Sequence, residues 1–482
     1  MINIIVELSK YLIIILMTLF TFQCFRIFKK KDEDDKKYVL RKQVILILFL
    51  NLVAFLVMYL QTMEIKMLIM YLQVAAYIVV LQVMYRIFYK KASMLVVNNM
   101  CMLLSCGFIM LSRLDFEKAE KQFFIVVAGT VISLLVPVII RKVKLLKDLT
   151  WLYGILGIIL LLAVLALSKV TGGANLALEI GGISFQFSEL VKITFVFFVA
   201  GILRGDPNFK KVVTATVVAG IHVMILVLST DLGSALVFFM TYVVMVYVAT
   251  KKPLYALAGL AGGSLAAVAA YFLFGHVRQR VVAWKAPFSV YETNGYQIVQ
   301  SLFAIGAGGW FGVGLFAGSP KSIPVVTQDF IFAAICEEMG AIFAICLLLV
   351  CMSCFLMILN ISMRMSNKFY KLIALGLGTE YAFQVFLTVG GTTKFIPMTG
   401  ITLPLVSYGG SSVICTIVML AIIQGLYILR EDEGAELEKQ KQERNQRPGA
   451  QYEQKRRKGT EQTREKSLEE KIEEETEKSL RW

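Results

Sequence analysis

Thirteen stretches of this chain run for about twenty residues with almost no charge. They fall near 3–25, 43–61, 65–85, 93–111, 122–140, 150–168, 187–203, 211–228, 232–250, 254–274, 329–358, 369–390 and 407–429. A helix needs roughly 20 apolar residues to cross ~30 Å of hydrocarbon. The chain therefore reads as an all-α polytopic membrane protein with about 13 transmembrane helices. Composition agrees: 57% of the 482 residues are hydrophobic and 17% are charged. Soluble domains carry roughly half and a quarter, so a soluble multidomain enzyme is excluded.

The loops set a direction. Lys and Arg crowd the odd-numbered gaps, as in Arg26 to Lys42, Arg86-Lys90-Lys91 and Arg141-Lys142-Lys144-Lys147, and again in Arg204-Lys210, Lys251-Lys252 and Arg364-Lys368. The positive-inside rule then places the amino terminus outside and the carboxyl terminus in the cytoplasm. The fourth gap dissents, with Arg113, Lys118 and Lys121 beside Asp115, Glu117 and Glu120. The tail from Arg430 holds 14 Lys/Arg against 15 Asp/Glu, so the net charge of +15 lies in the membrane body. No basic stripe with interleaved aromatics lies outside that body, which argues against a nucleic-acid partner. The tail itself reads as a disordered or partly helical cytoplasmic appendage.

Other familiar chemistries are thinly represented. Eight cysteines lie nearly all inside apolar runs, and the lone Cys351-x-x-Cys354 reads as small apolar residues in lipid. His222 and His276 are too few and too far apart for a metal cluster. The first apolar stretch lacks the basic start and small-residue cleavage site of a signal peptide.

Ionisable residues in or beside apolar spans are the informative ones, because a mid-membrane charge costs ~2.5–3.5 kcal/mol. Glu189 and Lys192 are three apart at the start of the seventh span and share a helix face. They read either as a self-neutralising pair or as a site. Asp231 lies between two spans and Asp329 opens the eleventh, positions where an aspartate caps a helix or does chemistry. Glu337 and Glu338 follow two turns after Asp329 and suit a cavity lining or a partner cation.

Two long segments lie on the expected outer side, residues 169–186 and 275–328, and the second is too long for a mere connector. It carries His276, Arg278 and Arg280, then Gln297, Gln300 and Ser301, a glycine-rich stretch to Leu315, and Lys321. Cations on the outer face suggest an anionic ligand, and the guanidinium fork suits phosphate. Long outer loops also escape the charge rule, so that reading stays open.

Five motifs carry a resemblance. Gly295-Tyr-Gln-x-x-Gln-Ser-Leu-x-Ala-Ile-Gly, Asp329-Phe-Ile-Phe-Ala-x-Ile-x-Glu-Glu-x-Gly340 and Pro397-x-Thr-Gly-x-x-Leu-Pro-x-Val-Ser-Tyr-Gly-Gly-Ser-Ser412 are similar to segments of the SEDS family, the FtsW/RodA/SpoVE group of cell-wall polymerases. Asp231-Leu-Gly-Ser-Ala and Phe185-Gln-x-Ser-Glu189-x-x-Lys192 add two matches in family order. The resemblance implies a SEDS-like core of ten helices at 92–430 with outer loop 275–328, preceded by about three extra helices at 1–91 and followed by the tail 431–482. An odd number of added spans accords with an outside amino terminus.

The resemblance further implies a peptidoglycan glycosyltransferase of the bacterial cytoplasmic membrane. Such an enzyme polymerises lipid II at the outer face, releases undecaprenyl pyrophosphate, and serves cell division, elongation or sporulation beside a class B penicillin-binding protein. Asp329 matches the family's catalytic aspartate and is the expected general base of an inverting transfer. Arg278, Arg280, Lys321, Gln297, Gln300, Ser301 and Ser411 are the expected substrate-binding residues, with Glu189, Lys192, Asp231 and Glu338 as supporting charges. A divalent cation, Mg or Mn, is the one cofactor a leaving pyrophosphate invites. The alternatives are a flippase for lipid-linked precursor and an inactive scaffold for a synthase. The chain departs from the family pattern at Phe187, where proline is usual, and at Ile323-Pro324-Val325, where Leu-Pro-Glu is usual. Thr388 stands in place of asparagine, and an Arg-Trp pair upstream of Glu189 is missing.

Overall fold

In the computed structural model, residues 2–167, 178–180 and 183–446 are described. They divide into two units, one ending at Ile428 and the other beginning at Leu429. The helices in chain order are α1 (Ile2–Arg26), α2 (Glu33–Thr62), α3 (Lys66–Phe88), α4 (Met94–Leu114), α5 (Phe116–Ser133), α6 (Val136–Lys142), α7 (Thr150–Leu167), α8 (Phe187–Leu203), α9 (Phe209–Leu228), α10 (Leu232–Thr250), α11 (Pro253–Leu273), α12 (Gly275–Lys285), α13 (Tyr296–Gly308), α14 (Ile331–Arg364), α15 (Lys368–Thr392) and α16 (Gly410–Gln446). Among the described residues, twelve helices or helix pairs are long and apolar enough to cross a membrane. The 17-residue α8 packs among them, against α7 and α15, so each of the thirteen expected spans corresponds to a helix. The protein is a multi-pass membrane protein.

Three local departures from a plain bundle have sequence causes. The fifth span is two helices, because Pro137 cannot continue an i→i−4 ladder; α5 ends at Ser133 and α6 restarts at Val136. A short antiparallel hairpin, β1 (Leu178–Ile180) and β2 (Ile183–Phe185), pairs Leu178 with Phe185 and Ile180 with Ile183 in an otherwise helical chain. The third is inside α14, where Gly340 adopts φ +83 and breaks the helix. A Cβ at Gly340 would lie 2.3 Å from the Gly312 nitrogen, so only glycine lets the two backbones meet. The broken ladder is repaired by the glycine-rich stretch: Ala341 and Ile342 N–H donate to Gly309 and Trp310 carbonyls, and Val313 and Gly314 N–H donate to Glu337 and Glu338 carbonyls.

The segment 275–328, too long for a mere connector, is largely helical. It holds α12 and α13, with α13 packed against α14, and α11 leads into it along α10 without burying a residue of its own.

The amino-terminal helices belong to the bundle. α1 packs on α2 and α14, while α2 and α3 pack on α4. Buried polar side chains tie these helices together. Cys24 and Gln43 link α1 to α2, Cys24 Sγ reaches Asn99 Oδ1 at 3.2 Å, and Asn99 reaches Ser353 of α14 at 3.2 Å. Asn98 receives Gln82 at 2.6 Å and donates to Gln43 at 2.8 Å, and Asn51 donates to Ser105 at 2.8 Å. In lipid such interhelical bonds contribute about 0.6–2 kcal/mol each.

Candidate functional site

Helix ends converge on a cavity of about 720 Å³. Its wall includes Gln186 before α8, Asp231 before α10, His276 and Arg280 of α12, Gln297 of α13, Gln328 and Asp329 before α14, and Thr399, Gly400 and Thr402 before α16. Six stretches of the chain thus contribute polar groups to one space.

Asp329 is held by its backbone. Its carbonyl accepts from Thr392 Oγ1 at 3.3 Å, and the preceding carbonyl of Gln328 accepts from Ser407 Oγ at 2.6 Å. The carboxyl is left to face the cavity, where burial pushes its pKa up to about 6 while the Arg280 guanidinium pulls it down. Arg280 is anchored through Nη1, which donates to the carbonyls of Met398 at 3.3 Å and Thr399 at 3.0 Å. Burial lowers its pKa, and the nearby Asp231 and Asp329 carboxylates oppose that shift. The His276 imidazole is also pushed down by burial and by Arg280, so it enters the cavity neutral at pH 7. Gly400 sits at φ +75, and a Cβ there would stand 3.9 Å from Asp329 Oδ2 and 4.0 Å from Arg280 Nη2. Both groups therefore flank one spot against bare backbone.

Asp231 both caps a helix and lines the cavity. Oδ1 accepts the Ser234 N–H at 3.1 Å, which caps α10, while Oδ2 accepts from Ser188 Oγ at 3.0 Å and Gln186 Nε2 at 3.3 Å. Glu189 and Lys192 pair at 2.8 Å, both buried, and Lys192 donates to Gln384 Oε1 at 2.9 Å. Gln384 continues to the Thr402 carbonyl at 3.2 Å, which joins the pair to the cavity wall. Around the pair lies a second, much smaller cavity of about 20 Å³ that also includes Glu380 and Cys415.

The remaining expected residues divide. Gln297 lines the cavity. Arg278 does not: it is exposed and donates to the Phe272 carbonyl at 3.2 Å. Lys321 is exposed on a short turn, where its charge acts on Asp115. Gln300 donates to the Tyr291 hydroxyl at 3.0 Å, and buried Ser301 donates to the Thr392 carbonyl at 2.8 Å, joining α13 to α15. Ser411 Oγ accepts the Gln186 N–H at 3.2 Å, fixing the start of α8. Glu338 pairs with Arg113 at 2.9 Å, away from the cavity.

Sequence reasoning missed Gln186, Ser188, Gln328, Glu380 and Gln384. Glu380 was within its reach, being an ionisable residue inside an apolar span. Among the described residues no three His, Cys, Asp or Glu side chains gather as a metal cage. Asp231 already accepts three hydrogen bonds, so of the two carboxylates lining the cavity Asp329 is the one with room for a cation.

The comparisons with known proteins converge. The sequence profile of the FtsW, RodA and SpoVE family, described as a cell cycle protein, matches residues 85–431. The peptidoglycan glycosyltransferase RodA of Mycobacterium tuberculosis is 33% identical over 347 residues, 66% of this chain and 74% of the relative. The probable peptidoglycan glycosyltransferase FtsW of Saccharophagus degradans is 34% identical over 356 residues, covering 67% and 89%. Among solved structures, the rod shape determining protein RodA of Thermus thermophilus has TM-score 0.52 at 23% identity, covering 70% of this chain and 96% of that one. A chain from a peptidoglycan synthase complex, described as coordinating polymerization and crosslinking, has TM-score 0.60 at 24% identity, covering 71% and 98%. Those two likenesses establish the fold, while the profile spans well over half of the sequence. The chain belongs to the FtsW/RodA/SpoVE family of cell cycle proteins.

Proposed function

We propose that this protein is a peptidoglycan glycosyltransferase that polymerises lipid II at the outer face of the bacterial cytoplasmic membrane, with its amino terminus outside and its tail in the cytoplasm. The observation that carries the reading is the 720 Å³ polar cavity with Asp329 and Arg280 side by side. The names of the relatives supply the reaction class.

A sugar hydroxyl of one substrate attacks the anomeric carbon of the other. Its proton passes to an Asp329 carboxylate oxygen as the new C–O bond forms. The bond from the anomeric carbon to the pyrophosphate oxygen breaks, and its electron pair leaves with undecaprenyl pyrophosphate. A single displacement on an α-linked donor gives a β-linked product, so the transfer inverts. A base whose pKa is about 6 is ionised at pH 7 yet basic enough to take the proton. Arg280 is the cavity's fixed cation and faces the developing phosphate charge. Gln186, Gln297, Gln328, Thr399 and Thr402 offer hydrogen bonds to sugar hydroxyls and amides. Asp329 would hold a Mg or Mn ion, which would supply Lewis-acid charge to the leaving group.

A class B penicillin-binding protein is the proposed partner, supported by the likeness to a chain of a synthase complex. Helices α1–α3, which lie largely before the matched residues, are read as an addition to the family's ten-helix core. The flippase reading finds less support, because the charge cluster linked to the cavity wall through Gln384 encloses about 20 Å³, no room for a sugar. An inactive scaffold has no use for an unsaturated carboxylate in an open cavity. Polymerisation of purified lipid II by the detergent-solubilised protein, with and without its transpeptidase, tests the reading. Glycan strands are expected; none from folded protein with its partner would refute it.

A further inference from the structure

One loop ran against the charge asymmetry of the sequence, the α4–α5 connection with Arg113 and Lys118, and the fold shows what those cations hold. Arg113 ends α4 and is nearly buried. Its Nε donates to Glu338 Oε1 at 2.9 Å, its Nη2 donates to the Gly318 carbonyl at 3.3 Å, and its guanidinium lies 4.2 Å over the Phe316 ring. Glu337 completes the clasp by accepting the Ser319 N–H at 2.7 Å. The stretch from Gly309 to Ser319 is therefore fastened to the α14 break on one side and to Arg113 on the other. Lys118 grips the next stretch. Its Nζ donates to Thr327 Oγ1 at 3.4 Å and stands 5.8 Å from the centre of the Tyr408 ring, while Tyr408 N–H donates to the Thr327 carbonyl at 2.7 Å. Asp329 is two residues further on. Neither cation lines the cavity.

We propose that Arg113 and Lys118 are positioning residues, which pin the segment 313–328 from the α4–α5 corner and so hold Asp329 in register with Arg280. This rests on Asp329 being the base. The mechanism is geometric: displacing a catalytic group by about 1 Å can cost 10²-fold in rate.

The test measures kcat and KM for lipid II polymerisation together with thermal unfolding of the full chain. R113M should lower kcat about 10–100-fold with little change in KM, and R113K should recover part of the loss. R113M also leaves the buried Glu338 without its cation, so unfolding temperature should fall. In R113M/E338L stability should return while kcat stays low, because the grip on Gly318 and Phe316 is still missing. If kcat returned together with stability, Arg113 would merely balance Glu338 and the proposal would be wrong. K118M removes a more exposed side chain and should lower kcat severalfold at unchanged unfolding temperature, a result that is readable even if R113M fails to fold. Wild-type kcat in both K118M and R113K would overturn the inference. D329A separates the two levels: an active D329A sinks the base assignment itself, whereas an inactive D329A with a fully active R113M sinks only the positioning role.

Discussion

The cavity at Asp329 and the cluster at Glu189 use the same ingredients, carboxylates beside one cation, and differ chiefly in room. Around Asp329 and Arg280 there are about 720 Å³ of space and a wall of amides and hydroxyls. Around Glu189, Lys192 and Glu380 there are about 20 Å³, enough for one water but not a substrate. In the small cluster Lys192 spends its hydrogen bonds on Glu189 and Gln384, so the charges saturate each other. In the large cavity Arg280 is anchored by backbone carbonyls, which leaves its charge available. Saturated charge next to free charge separates a structural strut from a candidate chemical site, although both set carboxylates beside one cation.

Breaking each region should therefore give different symptoms. The largest effect belongs to D329A, which should cut lipid II polymerisation by at least about 10²–10⁴-fold while leaving the bundle folded. Next is K192M, which strands two buried carboxylates near each other. It should cost about 3–5 kcal/mol of stability, measured by thermal unfolding in detergent, and cost activity only through that instability.

The acid limb of the pH profile should follow. With Asp329 titrating near 6, kcat/KM should fall about tenfold per pH unit below that value. Its effect on stability runs the other way. A carboxyl whose folded pKa is raised by burial favours the protonated fold, so its contribution is present at low pH and lost as pH rises from about 4 to about 6. D329N should therefore be more stable than wild type at pH 8 by about 1–3 kcal/mol, and the gain should vanish near pH 4. Equal stability at both pH values would mean that Asp329 is not desolvated.

G400A should come next, since φ +75 penalises any Cβ by roughly 1–2 kcal/mol and the new methyl meets Asp329 and Arg280. A measurable fall in kcat with a modest loss of stability is expected. The smallest effect should be E380Q. The Glu380 carboxyl is buried and its Oε1 has no hydrogen-bond partner among the described residues, so an uncharged amide of the same shape fits the site. Stability within about 0.5 kcal/mol of wild type is expected, and a larger loss would show that its charge is needed.

Most of the bundle was legible because lipid imposes one rule, about twenty apolar residues per crossing, and twelve of the thirteen expected spans obey it among the described residues, α8 being the short exception. What local pattern could not show was set by contacts between distant segments. The break at Gly340 exists because the Gly309–Gly314 backbone docks there, and nothing within α14 announces it. Arg278 stands outside the cavity for a different reason. Two residues apart on α12, Arg278 and Arg280 point about 200° apart, so only one can enter the cavity; read as loop, the segment hid that periodicity. Glu189 and Lys192 were found as a pair, but their third charge, Glu380, arrives from α15 almost two hundred residues later.

The central claim is that Asp329 takes the acceptor's proton. The direct measurement is single-turnover polymerisation of lipid II at saturating substrate by wild type and D329N, each with its transpeptidase partner and each shown folded. Glycan strands from wild type and at least a hundredfold slower formation by D329N, with lipid II still bound, is the predicted result. Strand formation by D329N at the wild-type rate would contradict it.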